Sequence, residues 1–416
     1  MSRPTVSSSR QRPRAARARA VVALVLMAAA LAACSGPILA NAPVPRPPLP
    51  SAAPATPAPA PDPQPVVLPR DDGPHDRLTE WWYYTGHLRT PDGRRFGFED
   101  VIFRAERGDF PVSWASHVAI TDETGRTFHY AQRSEIGPQV DRSPRGPDGV
   151  PTGFDLVIRG LDPTAPATLT NPPWSMEGGG GDDALAFRLS PAEAETAGAP
   201  GGMALDLAMT ATKPAALHDV DGYADFGPAG GSYYYSRTRL DATGSLTLDG
   251  TTYAVEGAAW FDHQWGDFIA VGGGGWDWFA IELDDGTDLM VNRVKAADGS
   301  YPFAYGTLIA ADGRVTHLPA DALTIDATGT WTSPATGSTY PSGWRVTVPG
   351  EGLDLAITPT IPDQELDTRQ TTGVVYWEGS QDVSGTRDGR PVTGEAYVEL
   401  TGYASAAATP GATAAP

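Results

Sequence analysis

The chain has 416 residues, with 30 basic and 50 acidic side chains and a formal charge of −20. That balance excludes a nucleic-acid binder and a protein that holds to anionic lipid by charge. Cys34 is the single cysteine, so no disulfide framework and no thiol chemistry is expected in the folded part.

Residues 1–33 read as a lipoprotein signal peptide. Arg3, Arg10, Arg12, Arg14, Arg17 and Arg19 form a basic n-region, and Val21 to Ala30 an apolar h-region too short to span a bilayer in the mature protein. Leu31-Ala32-Ala33-Cys34 has the form of a lipobox, so cleavage before Cys34 and lipidation there are expected. The alternative is an ordinary signal peptide that happens to contain a cysteine. Losing the six arginines leaves 24 basic against 50 acidic groups, a charge of −26.

Residues 34–70 read as a tether carrying the lipidated cysteine. Thirteen of the residues from Ser35 to Pro69 are proline, which favours extended polyproline II geometry. The end of the chain, from Ser405, is low in complexity, and 406–416 is expected to be a disordered tail. The expected location is the bacterial cell envelope, lipid-anchored and facing the periplasm or the exterior.

About 330 residues remain for folding, more than one domain usually holds. They read as almost all β, in runs that alternate apolar and polar residues. Strands are expected at Phe98 to Ala105, Ser116 to Thr121, Phe154 to Arg159, Leu205 to Ala211, Ser245 to Leu248, Tyr253 to Gly257, Trp278 to Leu283 and Tyr397 to Thr401. Asp-Gly pairs at 92–93, 249–250, 285–286, 298–299, 312–313 and 388–389 favour tight type I′ hairpins. Pro191 to Ala197 has the composition of a single short helical turn. Sequential hairpins suggest meander sheets closed into barrels, which at about eight strands can hold a small ligand. Two such units fit, placed at 71–266 and 267–405, with the Gly272 to Gly275 run as the crossing loop.

Two segments set ionisable groups among large rings: Glu80-Trp81-Trp82-Tyr83-Tyr84 and Trp260-Phe261-Asp262-His263-Gln264-Trp265. Rings at that density build either a core or the wall of an apolar pocket. In a strand, Trp81 and Tyr83 face one side while Trp82 and Tyr84 face the other. Likewise Asp262 and Gln264 share one face, and His263 shares the other with Phe261 and Trp265. Flanking rings would desolvate His263 and keep it neutral. Against this stands a purely structural role, with His263 and Asp262 holding a corner by hydrogen bonds and Glu80 pairing an arginine.

The remaining candidates are weaker. Arg237 and Arg239 share a face and, turned inward, would anchor a carboxylate or a polar ligand end, with Tyr235 beside them. Trp278 opens the second unit, with core packing as its simplest role. The seven histidines include no H-x-x-x-H or H-x-H pair, so no metal is expected; a site assembled by folding, such as His117 with His263, is the exception to test. No cofactor is expected. The chain also lacks the G-x-S-x-G elbow of serine hydrolases.

Glu80 to Leu88, Tyr234 to Leu240, Gly257 to Gly266 and Gly394 to Tyr403 together resemble the AttH-like family, related to carotenoid 1,2-hydratases. The resemblance spans about residues 75–405. Its members are double-lipocalin proteins often labelled secreted hydrolases, so it implies two lipocalin-like barrels packed together.

Two functions follow as expectations. The first is a lipid-anchored protein that binds an apolar small molecule, such as an isoprenoid, polyene or acyl compound. Glu80, Trp81, Trp82, Tyr235, Arg237, Trp265 and Trp278 would form its pocket, in the first barrel or between the two. The second is an enzyme: a carotenoid 1,2-hydratase-type hydro-lyase using Asp262 and His263, or a secreted hydrolase. An exposed Asp262 would favour binding; a carboxyl enclosed by rings would favour catalysis.

Overall fold

The computed structural model describes residues 62–160, 171–226, 230–268 and 273–404. The leader, Cys34, most of the tether and the tail lie outside the described residues. Strands dominate, and the only α-helix among the described residues is α1 (Pro191–Thr196), started by a Ser190–Glu193 capping box.

The first twelve strands are β1 (Thr79–Arg89), β2 (Arg95–Arg107), β3 (Phe110–Asp122), β4 (Thr127–Ile136), β5 (Phe154–Ile158), β6 (Trp174–Gly178), β7 (Asp182–Arg188), β8 (Met203–Ala211), β9 (Ala216–Leu217), β10 (Tyr223–Asp225), β11 (Gly231–Leu248) and β12 (Thr251–Gly266). They form one antiparallel sheet in the order β4-β3-β2-β1-β12-β11-β8-β7-β6-β5, with β9 and β10 paired to β11. The sheet curls until its two ends meet. There the amide of Arg159 donates to Glu135 of β4 at 2.7 Å in place of a ladder.

The second sheet holds β13 (Gly273–Leu283), β14 (Asp288–Ala296), β15 (Phe303–Ile309), β16 (Val315–Pro319), β17 (Thr324–Ala327), β20 (Trp344–Val348), β21 (Leu353–Pro359), β22 (Glu365–Asp367), β23 (Val375–Arg387) and β24 (Arg390–Leu400). Between β17 and β20, β18 (Thr330–Thr332) and β19 (Thr339–Pro341) pair with each other. The order is β16-β15-β14-β13-β24-β23-β21-β20-β17, again antiparallel, with β22 on β23. The fold is a double lipocalin-like one. The glycine run expected as a crossing loop instead joins β13 from Gly273 onward.

The six Asp-Gly pairs named above all close hairpins between consecutive strands. Only two are type I′, with positive φ at both residues: Asp249 (49°) with Gly250 (79°), and Asp388 (50°) with Gly389 (74°). At the other four only the glycine is left-handed. There the loop is a residue longer, and the glycine takes the bulge position instead.

Burial separates two kinds of strand. β8 alternates, with Leu205, Leu207 and Met209 buried while Asp206, Ala208 and Thr210 are exposed, because one face meets the core and the other water. β1 is buried on both faces along nearly its whole length. Its inner face packs with Trp114, Phe154 and Phe261 in the first barrel. Its outer face packs on the second barrel, in a separate cluster of Tyr83, Val101, Tyr234, Trp260, Trp278, Met290, Tyr305 and Tyr397. Gly97 of β2 lies at a close approach, where an added Cβ would stand 2.7 Å from that of Ser380. The second barrel has its own apolar core around Phe279, Trp344 and Trp377.

Candidate active site between the barrels

The pairing register decides which face each candidate takes. On β1 and β12, Tyr83 lies opposite Asp262, Trp81 opposite Gln264, Trp82 opposite His263, and Glu80 opposite Trp265. Cross-strand partners share a face. Trp81, Tyr83, Asp262 and Gln264 therefore face the second barrel. Glu80, Trp82, His263 and Trp265 face the interior of the first.

That interior is packed with aromatic and ionic groups around His263. His263 is fully buried, its ring 4.7 Å from those of both Trp82 and Trp265. Its Nε2 bonds Glu80 at 2.9 Å, and Glu80 also takes His75 Nδ1 at 2.7 Å and the His75 amide at 3.0 Å. Burial pushes the Glu80 carboxyl up, but His75 and His263 more than offset it and bring it down to about 2. Burial lowers the His263 imidazole, only partly countered by Glu80, so the ring is neutral. Burial also works against charge on His75, yet Glu80 and Asp71 raise it. The result is a His75–Glu80 ion pair capped by a neutral His263.

Tyr235 and Arg237 lie in the same interior. Both bond Asp72, Arg237 at 2.7 Å, so the arginine is occupied by a protein carboxylate and not held open for a ligand. Among the described residues, His75, Glu80 and His263 are the one set whose donor atoms converge closely enough to ligate a metal. Each donor is already bonded within the set, and the Arg104 guanidinium stands 3.9 Å from Glu80. The folded pair weighed in the sequence, His117 with His263, is not formed. His117 lies on the outer face and bonds Tyr376 at 2.8 Å and Thr371 at 3.0 Å.

The cavity lies between the barrels, with a free volume of about 100 Å3. Of its seventeen lining residues nine are aromatic, including Trp81, Tyr83, Tyr234 and Trp278, and four are acids: Glu99, Asp262, Glu378 and Glu399. Trp276, 38% exposed, stands at its mouth. A wider groove of about 740 Å3 runs along the surface by β4 and β22. Its buried acid, Glu365, is tied to Tyr340, Ser333 and Thr336.

Asp262 is enclosed, at 3% exposure. Its Oδ2 accepts from the Tyr234 hydroxyl at 2.5 Å, and its Oδ1 from Trp260 Nε1 at 2.6 Å and from Ser236. Trp278 Nε1 in turn donates to the Tyr234 oxygen at 2.9 Å, tying the arrangement to the second barrel. Burial pushes the carboxyl up, the three donors hold it back, and it comes to about 7. Asp262 can therefore carry a proton near neutral pH, where an ordinary aspartate is ionised. Such a group can give a proton to a substrate atom and take one back.

Ser236, His218 and Asp262 touch, but in the wrong order for a nucleophilic triad. Ser236 donates to Asp262 and bonds His218 Nε2 at 2.6 Å, while His218 Nδ1 bonds Thr307 at 2.9 Å. The aspartate orients the serine and not the histidine, and Ser236 does not line the cavity.

Of the sequence candidates, the cavity gathers Trp81, Trp278 and Asp262, while Glu80, Trp82, Tyr235, Arg237, His263 and Trp265 lie inside the first barrel. Sequence reasoning passed over Glu99, Glu399 and Tyr234. Glu99 and Glu378 sit in strands that alternate only weakly, being buried on both faces, and that was the available signal.

These features define a two-barrel, lipocalin-like protein with an aromatic, acid-lined cleft at the barrel junction. The chain belongs to the AttH-like family, whose model matches residues 59–403. A protein from Nitrosomonas europaea assigned as an AttH is 30% identical, with a TM-score of 0.67, covering 85% of this chain and 100% of its own. Kievitone hydratase from Nectria haematococca shares the fold at 17% identity and a TM-score of 0.60, covering 81% of this chain and 93% of its own. CghA shares it at 15% identity and a TM-score of 0.52, covering 80% and 90%. No curated protein matches the chain in sequence.

Proposed function

We propose that the protein is a hydro-lyase that adds water to a carbon–carbon double bond of an apolar substrate, with Asp262 as the proton donor. One observation carries this reading. A carboxyl brought to about 7 is enclosed by rings at the wall of the cleft, in the protonation range a general acid needs. Its proton forms a C–H bond with the alkene's π electrons, leaving a cation on the neighbouring carbon. Trp278, Tyr83 and Trp81 line the cleft, and their rings would stabilise that charge. Water enters past Trp276 and forms the C–O bond, and its spare proton goes to a carboxylate of the cleft wall. The cleft's size suits a compact end group, such as an isoprenyl terminus, with the rest of the substrate outside. A relative in fold named as a hydratase is consistent with this chemistry.

A second reading, binding of an apolar molecule without reaction, is favoured by the nine rings of the cleft. In either case we propose that lipid on Cys34 holds the protein in the cell envelope, the tether lifting it clear of the bilayer. The test is incubation with acyclic carotenoids and other prenyl-ended compounds in water labelled with heavy oxygen. Hydration places that oxygen on a new tertiary alcohol. Binding of these compounds with no labelled product would leave the second reading.

A further inference from the structure

We infer that the cleft is a recognition site for an organic cation, an ammonium centre on a compact apolar body. The inference rests on the geometry of the cleft and stands apart from the hydration reading. Four of the seventeen lining residues are acids, and none is Lys, Arg or His. The acids come from both walls: Glu99 and Asp262 from the first barrel, Glu378 and Glu399 from the second. Glu378 and Glu399 are direct partners across β23 and β24. Like groups in that position repel when ionised.

Several buried acids elsewhere in the chain are paired with bases. Asp72 has Arg237, Asp288 has Lys213 and Arg239, and Glu80 has His75. In the cleft the partners are hydroxyls and indoles: Tyr376 for Glu99, Tyr83 for Glu378, and Trp276 for Glu399. Glu99, which lines the cleft, is 1% exposed, and its Oε2 has no hydrogen-bond partner. Uncompensated carboxyls, with ring faces that carry partial negative charge, make a potential that only a cation satisfies. A neutral ligand gains from the rings alone, and an anion is repelled.

The same groups make binding proton-linked. Burial brings Asp262 to about 7, Glu399 to about 7 and Glu99 to about 8, and holds Glu378 well above its usual range. The facing hydroxyls of Tyr83, Tyr234 and Tyr376 are pushed up by burial and stay protonated. His117, behind Tyr376, is brought by burial to about 3 and stays neutral. A bound cation therefore displaces carboxyl protons, and its affinity rises with pH through neutrality.

Benzyltrimethylammonium and neopentylbenzene, its uncharged isostere, test this by titration of the purified protein, followed by tryptophan fluorescence and calorimetry. At about pH 8 the cation should bind about tenfold more tightly, and the preference should shrink toward about pH 5.5. Glu378→Gln with Glu399→Gln should remove the preference and leave neopentylbenzene binding unchanged. Where the double variant does not fold, Glu399→Gln alone, at the partly exposed mouth, should reduce it. Equal affinities, no binding of the cation, or a preference that ignores both pH and the substitutions overturns the inference. Turnover reads separately. An inactive protein that prefers the cation sinks only the hydration reading, and an active one without the preference sinks only this one.

Discussion

Asp262 and His263 are consecutive in the chain and lie on opposite faces of one strand. The carboxyl of Asp262 borders the cleft between the barrels, while the His263 ring is stacked on Trp82 and tilted against Trp265 inside the first barrel. A strand turns neighbouring side chains to opposite sides, so no local motion brings both to one substrate. The pair therefore divides into one group that faces the cleft and one that holds the barrel together.

Asp262→Asn keeps the size of the side chain and an acceptor for Trp260 and Ser236, reverses the bond to Tyr234, whose oxygen would accept from the amide, and removes the transferable proton. We expect kcat for hydration to fall by ~10²–10⁴-fold with KM little changed, since the donor acts in the transition state. Steady-state rates of polyene hydration check this. Equal turnover by the two proteins would rule Asp262 out as the acid.

His263→Ala acts on stability instead. It empties a fully buried site between two indoles and strips one hydrogen bond from the Glu80 carboxylate. The expected loss is ~2–4 kcal/mol in urea unfolding, with ligand affinity of the folded fraction unchanged. A loss under ~0.5 kcal/mol would put His263 among residues without a structural role.

The fold was legible in the sequence because its signals are local. Period-two runs and the Asp-Gly pairs give strands and hairpins without any knowledge of partners. The same period-two rule separated Trp81 and Tyr83 from Trp82 and Tyr84, and Asp262 from His263. It could not say which face would be the barrel interior. Placing Glu80, Trp82 and Trp265 in the pocket, with His263 as a catalytic group, put inner-face residues beside outer-face ones such as Trp81 and Asp262. The real cleft joins outer faces of β1, β2 and β12 to those of β13, β23 and β24, from residues about 300 apart in the chain, such as Glu99 and Glu399. Only packing of the two barrels brings those acids together.

Lipidation at Cys34 predicts that Cys34→Ala abolishes labelling by a clickable palmitate and moves the protein to the soluble fraction. Unchanged labelling in the variant would end the anchoring proposal. The outcome is independent of the cleft, because Cys34 lies ahead of every described strand.

Asp288 ties the barrels together. Fully buried at the start of β14, it bonds Lys213 and Arg239 at 2.6 Å and the Thr238 hydroxyl at 2.7 Å, all three from the first barrel. Asp288→Ala leaves two cations at the junction without their carboxylate. We expect a loss of ~3–5 kcal/mol. Scanning calorimetry should show the single transition broaden or split as the barrels uncouple. A variant as stable as the wild type would mean that the apolar contacts alone hold the junction.

The protein should be most stable in mild acid, near about pH 5, and less stable at about pH 8. Asp262 and Glu399 at about 7, and Glu99 and Glu282 at about 8, all lie above their ordinary values of 3.8 and 4.5. Between those ordinary values and the raised ones the folded chain holds protons that the unfolded chain has released. Stability therefore falls as pH rises through that window. His117 and His218, each brought to about 3 by burial, and the lowered His263 act in the opposite sense. Below their ordinary 6.5 the unfolded chain takes up protons that the folded chain refuses. They are outnumbered by the raised carboxyls, to which Glu378 and Asp100 also belong, so the carboxyls set the slope down to the ordinary carboxylate range. Below it the carboxyl contribution levels off. The histidines then dominate, and Glu80, held at about 2 by its imidazole partners, adds a loss of stability as it is protonated. Thermal unfolding across the range checks the sign. Glu99→Gln should flatten the alkaline side of the curve, because the glutamine has no proton to release. A melting temperature that climbs from pH 5 to pH 8 would show that the cleft acids are ionised and compensated in the folded protein.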